Sequence, residues 1–406
     1  MRIAGSIFAL ALMALPTLAQ AQEVTAQERA RIERILRRTP LIDGHNDLPM
    51  AIRRQYDGDL ARVDITGDTS ALTHPLHTDL PRLRRGGMGA QFWSVYVPAS
   101  LRGLENTQAV IEQIDLTRRM IARYPRDLEF AETAADIVRI HRAGRIASML
   151  GIEGGEAINN NLALLREFRR MGVLYMTLTH SLNTAWVDSA TDAPAHDGLT
   201  DFGREVIAEM NRIGMLVDLS HVSAPAMRDV LAVARAPVIF SHSSAYALTA
   251  HPRNVPDDVL EMVRANGGVV MVNFYSAFIS EDVRAWAALR AGKQAEFRAL
   301  NPGDAAAAAQ ALAAWTAANP APRASVGDVA DHVEHIARVA GHAHVGIGGD
   351  YDGVPTLPDG MGGVDGYTLL FAELIRRGWR DADLAALAGG NLLRALRAAE
   401  AAAETP

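Results

Sequence analysis

His45 and Asp47 stand two residues apart in Asp43-Gly44-His45-Asn46-Asp47. On an extended chain that spacing puts both side chains on one face, where an imidazole and a carboxylate can grip one cation. His-x-Asp alone is a weak signal, so the rest of the chain must supply partners. Glu153 follows in Gly151-Ile152-Glu153-Gly154-Gly155, where glycines let backbone and ligand approach closely. Its two oxygens can bridge two cations. His221 in Asp218-Leu219-Ser220-His221 and His242 in Phe240-Ser241-His242-Ser243 offer imidazoles for a second position. Such nitrogen and oxygen donors suit zinc better than magnesium. Two zinc ions about 3.5 to 4 Å apart hold a bridging hydroxide near neutral pH and polarise a carbonyl, which is hydrolytic machinery.

Three further residues speak to the substrate. Asp350, in Gly348-Gly349-Asp350-Tyr351-Asp352-Gly353, is placed to take a proton from the hydroxide and pass it to a leaving amine. An acidic turn capping a helix is the other reading of Asp350 and Asp352, more natural for Asp352. His180, in Thr179-His180-Ser181, is suited to face an oxygen that becomes an oxyanion. Arg253, in Pro252-Arg253-Asn254-Val255-Pro256, is either a fork-shaped clamp for a terminal carboxylate or a solvated loop arginine.

Composition narrows the chemistry to these residue types. The chain has 406 residues, 13 histidines and no cysteine, which excludes disulfides, thiol nucleophiles, iron–sulfur clusters and thiolate zinc sites. Lys293 is the only lysine among 40 basic residues, so neither a P-loop nor a Schiff-base lysine is available. Net charge is -7 and the arginines are scattered among acids, which argues against nucleic acid as a partner.

What positions these groups is a repeated strand pattern. Eight short apolar runs, Leu41-Ile42, Ala90 to Val97, Ile146 to Ile152, Val173 to Thr179, Met215 to Leu219, Val238 to Phe240, Gly268 to Asn273 and His344 to Ile347, alternate with helical patterns. Each is followed by polar residues that a buried strand would not choose. The pattern predicts a (β/α)8 TIM barrel, whose active site lies at the carboxy ends of the strands, so one mouth gathers His45, Asp47, Glu153, His180, His221, His242 and Asp350. Burying such groups unpaired costs several kcal/mol each, and a metal is the usual compensation. The other nine histidines, His332 and His335 included, read as surface or loop residues. Between the seventh and eighth runs an alanine-rich segment, residues 277–325, reads as a helical insertion. No internal repeat or long linker divides the remainder, so residues 22–406 read as one domain.

Residues 1–21 differ from the rest: Arg2, an apolar run from Ile7 to Leu15, Pro16, and the small-residue sequence Ala19-Gln20-Ala21. This is the pattern of a secretory signal peptide, too short in its apolar stretch for the ~20 residues of a membrane span. It predicts a product exported through the inner membrane to the periplasm, with no stable membrane anchor.

Several blocks resemble the membrane (renal) dipeptidase family, peptidase family M19: Asp43-Gly44-His45-Asn46-Asp47-Leu48-Pro49, Gln91-Phe92-Trp93-Ser94, Ser241-His242-Ser243-Ser244-Ala245 and Arg253-Asn254-Val255-Pro256-Asp257-Asp258. The resemblance runs from about Leu41 to Asn391. It implies an amidohydrolase-type barrel, two zinc ions per chain, hydrolysis of dipeptides and a homodimer. It further implies that His45 and Asp47 hold one zinc, Glu153 both, and His221 and His242 the other. On the same basis His180 and Arg253 bind substrate and Asp350 is the acid/base residue. The chain departs from the family in three places: Met50 stands where tryptophan is frequent, the cysteines that link subunits in animal relatives are absent, and the alanine-rich insertion is longer. Any dimer therefore forms without a disulfide.

Two other readings fit the same residues. One keeps the barrel and metals but hydrolyses another amide, a lactam or a cyclic imide. The other is a catalytically silent exported protein that captures peptides in the barrel mouth.

Overall fold

The computed structural model describes residues 23–404; the proposed signal peptide lies outside the described residues. Nine parallel strands form the sheet: β1 (Leu41–Asn46), β2 (Met88–Tyr96), β3 (Leu128–Phe130), β4 (Ile146–Glu153), β5 (Val173–Thr177), β6 (Leu216–Asp218), β7 (Ile239–Phe240), β8 (Val269–Val272) and β9 (Val345–Ile347). Their order is β2-β1-β9-β8-β7-β6-β5-β4-β3, and a further pairing of β2 with β4 closes an eight-stranded barrel. This is the expected (β/α)8 fold, and all eight runs contain strands.

The ninth strand, β3, was not anticipated. It shares one edge of β4 with β5: Leu128, Glu129 and Phe130 pair with Ile146, Ala147 and Ser148, and β5 takes over from Leu150 to Glu153. Leu128-Glu129-Phe130 alternates apolar and polar residues, but over three positions only, too few to set a period-2 signal apart from chance. β1 also runs farther than Leu41-Ile42, through the polar Asp43 to Asn46, because those side chains find partners inside the barrel.

Alternation along the strands divides the core. Ile42, Phe92, Met149, Tyr175, Leu216, Ile239 and Met271 pack in one buried cluster. Their sequence neighbours Leu41, Trp93, Leu150, Met176, Val217, Phe240 and Val270 belong to the larger cluster, which takes in most of the surrounding helices. Two glycines permit the close approaches this requires. A Cβ on Gly151 would lie 2.0 Å from the Tyr175 ring, and one on Gly348 would lie 1.8 Å from the Ser241 carbonyl oxygen.

Between β8 and β9 the chain forms helices Ser276–Ile279, Glu281–Leu300, Ala305–Ala318 and Val326–Val339. The middle two pack together with Trp286 and Trp315 stacked at 6.2 Å. None of the described helices is long and apolar enough to cross a membrane.

His332 and His335 correct the sequence reading. Both are buried in the helix Val326–Val339. His332 Nδ1 accepts the Ala245 N–H at 2.9 Å, and Nε2 faces the Ile279 carbonyl at 3.2 Å. His335 Nε2 meets Asp257 at 2.7 Å. They tie the loop after β7 to the outer helices, a role that a helical i, i+3 spacing does not distinguish from a solvated face.

Candidate metal centre and active-site cavity

The sequence-predicted residues converge at the carboxy ends of the strands. Asp47, Glu153, His180, His221, His242, Arg253 and Asp350 all line one cavity of about 290 Å³, and fully buried His45 lies against it. His45 Nε2 is 3.2 Å from Asp47 Oδ2 and 3.4 Å from Glu153 Oε2. The other oxygen, Oε1, is 2.9 Å from His221 Nε2, 3.4 Å from His242 Nε2 and 3.9 Å from His180 Nε2.

Local sequence explains several of these placements. Asp47 occupies the N-cap position of the helix Leu48–Tyr56 but makes no side-chain capping bond; Asn46 Oδ1 accepts the Leu48 N–H instead. The Asp47 carboxylate is thereby released toward His45 while still enjoying the positive end of the helix dipole. His221 and Asp350 hold left-handed backbone with φ of 72° and 60°. For residues other than glycine that is a stored cost of about 1 to 3 kcal/mol, of the kind that clusters at functional sites.

Two relays fix which ring nitrogen carries a proton. Tyr175 donates its single proton to the Gly44 carbonyl at 3.0 Å, so its oxygen accepts from His45 Nδ1 at 3.1 Å. Ser241 donates to Asp218 Oδ2 at 2.6 Å, so its oxygen accepts from His242 Nδ1 at 2.8 Å. Both rings, when neutral, then present bare Nε2 lone pairs to the centre. His45 Nε2 is buried with no hydrogen-bond partner and faces two carboxylates. Acceptors pointed at one another in this way call for a cation.

The electrostatics agree. Burial opposes charge on Glu153, yet the charge of His45, ahead of the contact from His221, outweighs it and holds the carboxyl well below its usual range. Burial likewise opposes charge on His45, but Glu153 and Asp47 hold it well above its usual range. The field therefore demands positive charge at His45 Nε2, whether from a proton or a metal. Burial, with the charge of Arg253, pushes His221 well down; burial and His45 do the same to His242. Neutral imidazoles are metal ligands, so the donor set fits a metal. Candidate ligand atoms of His45, Glu153 and His242, of Glu153, His180 and His221, and of His45, Asp47 and Asp350 lie within 4.8 Å of one another in each group.

Around this cluster, Asp350 Oδ2 accepts from Asn273 Nδ2 at 2.8 Å. Burial first, then Asp47 and Glu153, raise its pKa to about 8 against the pull of His45. Arg253 is 2% exposed. It donates to Ser243 Oγ and to the His242 carbonyl, both at 3.3 Å, while its Nε–H has no partner. Burial lowers its pKa to about 10. Asp352 accepts the His77 N–H at 2.7 Å, a loop tie and not a helix cap.

Sequence reasoning missed the residues that hold the ligands. Tyr175, Ser241 and Asp218 form the relays described above. Asp43 accepts from Tyr367, Gly349 and His45, and Ser94 donates to Glu153 Oε2 at 3.2 Å. Their only signal was a polar residue inside or closing an apolar run.

Comparison with known proteins supports the same conclusion. A family model described as membrane dipeptidase (peptidase family M19) matches residues 29–406. Among solved structures, the dipeptidase AC, a metallopeptidase of family M19, is 26% identical, with 89% of this chain and 99% of that chain covered and a TM-score of 0.71. The probable dipeptidase PvdM from Pseudomonas aeruginosa shares the fold at 23% identity, 93% and 99% coverage and TM-score 0.76. A metallopeptidase from Rhodobacter sphaeroides, bound to a phosphinate mimic of the dipeptide L-Ala-D-Ala, shares it at 24% identity, 89% and 99% coverage and TM-score 0.71. The chain belongs to the membrane dipeptidase family, peptidase family M19, and is a metallo-dipeptidase.

Proposed function

We propose that the protein is an exported, two-zinc dipeptidase that grips the carboxylate of the second residue with Arg253. The observation that carries this reading is a buried guanidinium with no carboxylate partner among the described residues. Leaving such a cation unpaired costs several kcal/mol, and a substrate carboxylate removes that cost. A fixed cation just past the scissile bond also leaves no favourable place for a continuing chain, which explains dipeptides over longer peptides. The cavity of about 290 Å³ is sized for a small substrate.

His45 and Asp47 would hold one ion, His221 and His242 the other, and Glu153 one oxygen toward each. When bound, the ions activate water as the nucleophile and polarise the scissile carbonyl. His180, neutral because burial lowers its pKa, faces the cavity with Nε2 and donates to the developing oxyanion. Asp350 holds its proton readily in the cation-free site; beside bound cations it would return to the carboxylate form, and its oxygen not engaged by Asn273 would then accept the proton of the attacking water and return it to the leaving amine. The phosphinate dipeptide mimic bound to the Rhodobacter sphaeroides relative supports an L,D-dipeptide as one substrate. Export rests on the Arg2, Ile7 to Leu15 and Ala19-Gln20-Ala21 pattern.

The test compares free and carboxy-amidated dipeptides on wild type and Arg253→Ala, beside a β-lactam and a hydantoin. Wild type should cleave only the free dipeptides well. The variant should raise their KM on the order of 100-fold and lose the distinction. Equal turnover of free and amidated dipeptides by both proteins would sink the role of Arg253, and preference for lactam or imide would replace the substrate class.

A further inference from the structure

Arg54 is a second cation in the cavity wall. It lies on the helix Leu48–Tyr56 that follows β1, whereas Arg253 follows β7. Between β1 and β7 the barrel order interposes β9 and β8, so the two arginines come from elements set two strands apart around the mouth, and both line the cavity that holds the ligand cluster. Met50 lines the cavity one helical turn before Arg54, on the same helix face. Tyr96, at the end of neighbouring β2, lines the same cavity, with its ring 4.6 Å from that of His180.

The acids in the cavity are all committed elsewhere. Asp47 and Glu153 face imidazoles, Asp350 takes the Asn273 amide, and Asp352 takes the His77 N–H. No ion pair to Arg54 forms among the described residues, whereas the exposed Arg62, Arg85, Arg119 and Arg139 each pair with an acid. Arg54 is thus an exposed, unmatched charge above a half-buried apolar and aromatic pocket.

With the second residue's carboxylate at Arg253 and the scissile bond over the ligand cluster, the first residue's side chain points away from Arg253, toward the β1 and β2 side of the mouth. We propose that Met50, Tyr96 and Arg54 form the subsite for that side chain, and that Arg54 selects dipeptides whose first residue is acidic. Met50 packs against the methylene stem, Tyr96 flanks it, and Arg54 accepts the terminal carboxylate as a partner. The inference rests on the dipeptidase reading and on the orientation set by Arg253.

The test measures kcat/KM on metal-loaded protein for Glu-Ala and its isostere Gln-Ala, and for Ala-Glu and Ala-Gln. Wild type should prefer Glu-Ala over Gln-Ala by about fivefold, as a partly exposed ion pair gives. That preference should shrink as sodium chloride is raised, because salt screens an exposed pair. Arg54→Met should abolish it, Arg54→Lys should retain part of it, and Arg54→Glu should favour Lys-Ala over Glu-Ala. Equal rates for Glu-Ala and Gln-Ala in wild type, with both cleaved, would overturn the inference and leave the dipeptidase reading intact. A preference for Ala-Glu over Ala-Gln that Arg54→Met removes would overturn the placement. Failure to cleave any of the four, with Ala-Ala also inert, would count against the dipeptidase reading itself.

Discussion

His221 Nε2 and His242 Nε2 lie 2.9 Å apart, and both face Glu153 Oε1. The rings come from the ends of β6 and β7, and the contact is inside a site where burial disfavours protonating either one. The Ser241 relay leaves His242 Nε2 bare. Two imidazole nitrogens converging on one carboxylate oxygen from separate strands form a ligand set, and Glu153 is its hinge.

Glu153→Gln therefore removes the one group that faces both halves of the site. We expect kcat/KM to fall about a thousandfold or more, equivalent to ~4 kcal/mol of transition-state stabilisation. Bound metal measured on the same sample should fall with it, while far-ultraviolet circular dichroism remains that of wild type. Wild-type turnover in this variant would remove Glu153 from the centre.

Ser241→Ala tests the relay. Without the serine oxygen, the Nδ1–H of His242 loses its acceptor and the ring its orientation, so metal affinity should weaken about 10- to 100-fold, the usual effect of losing such a support. Competition with a chromophoric chelator reads this directly. An unchanged affinity would show that packing alone orients His242.

The contrast between Glu153 and Ser241 also marks what sequence reveals. His45, Asp47, Glu153, His221, His242 and Asp350 were legible because each is a polar group following an apolar run, and barrel topology converts that regularity into proximity. Ser241, Asp218 and Tyr175 were not, since a serine or tyrosine beside a strand end has no pattern separating support from packing. β3 escaped because three residues are too few to show a period. His332 and His335 were misplaced for a different reason: helical spacing fixes their shared face, and only tertiary packing decides whether that face is wet.

His332 should make stability depend on acid. Burial lowers its pKa to about 4 from an ordinary 6.5, partly opposed by the Ile279 carbonyl. The unfolded chain binds the proton more readily, so the contribution is fully present above pH 6.5 and is lost as pH falls toward 4. Its size is on the order of 3 kcal/mol. In urea unfolding, His332→Gln should lose less stability than wild type between pH 7 and pH 4.5. Parallel losses in the two proteins would refute this.

Gly348→Ala tests the close approach of β9 to the end of β7. Its methyl would meet the Ser241 carbonyl oxygen at 1.8 Å, and backbone cannot yield as a flexible side chain does. We expect a loss of about 3 kcal/mol or more, seen as a lowered Tm or insoluble expression. A wild-type Tm would mean that β9 does not sit so close.

The central claim is that this donor set holds a catalytic pair of zinc ions. The most direct measurement titrates zinc into chelator-stripped protein while following Ala-Ala hydrolysis and bound metal together. The account predicts no turnover without metal and full recovery at about two ions per chain. Full turnover in stripped protein, or saturation at a single ion, would contradict it.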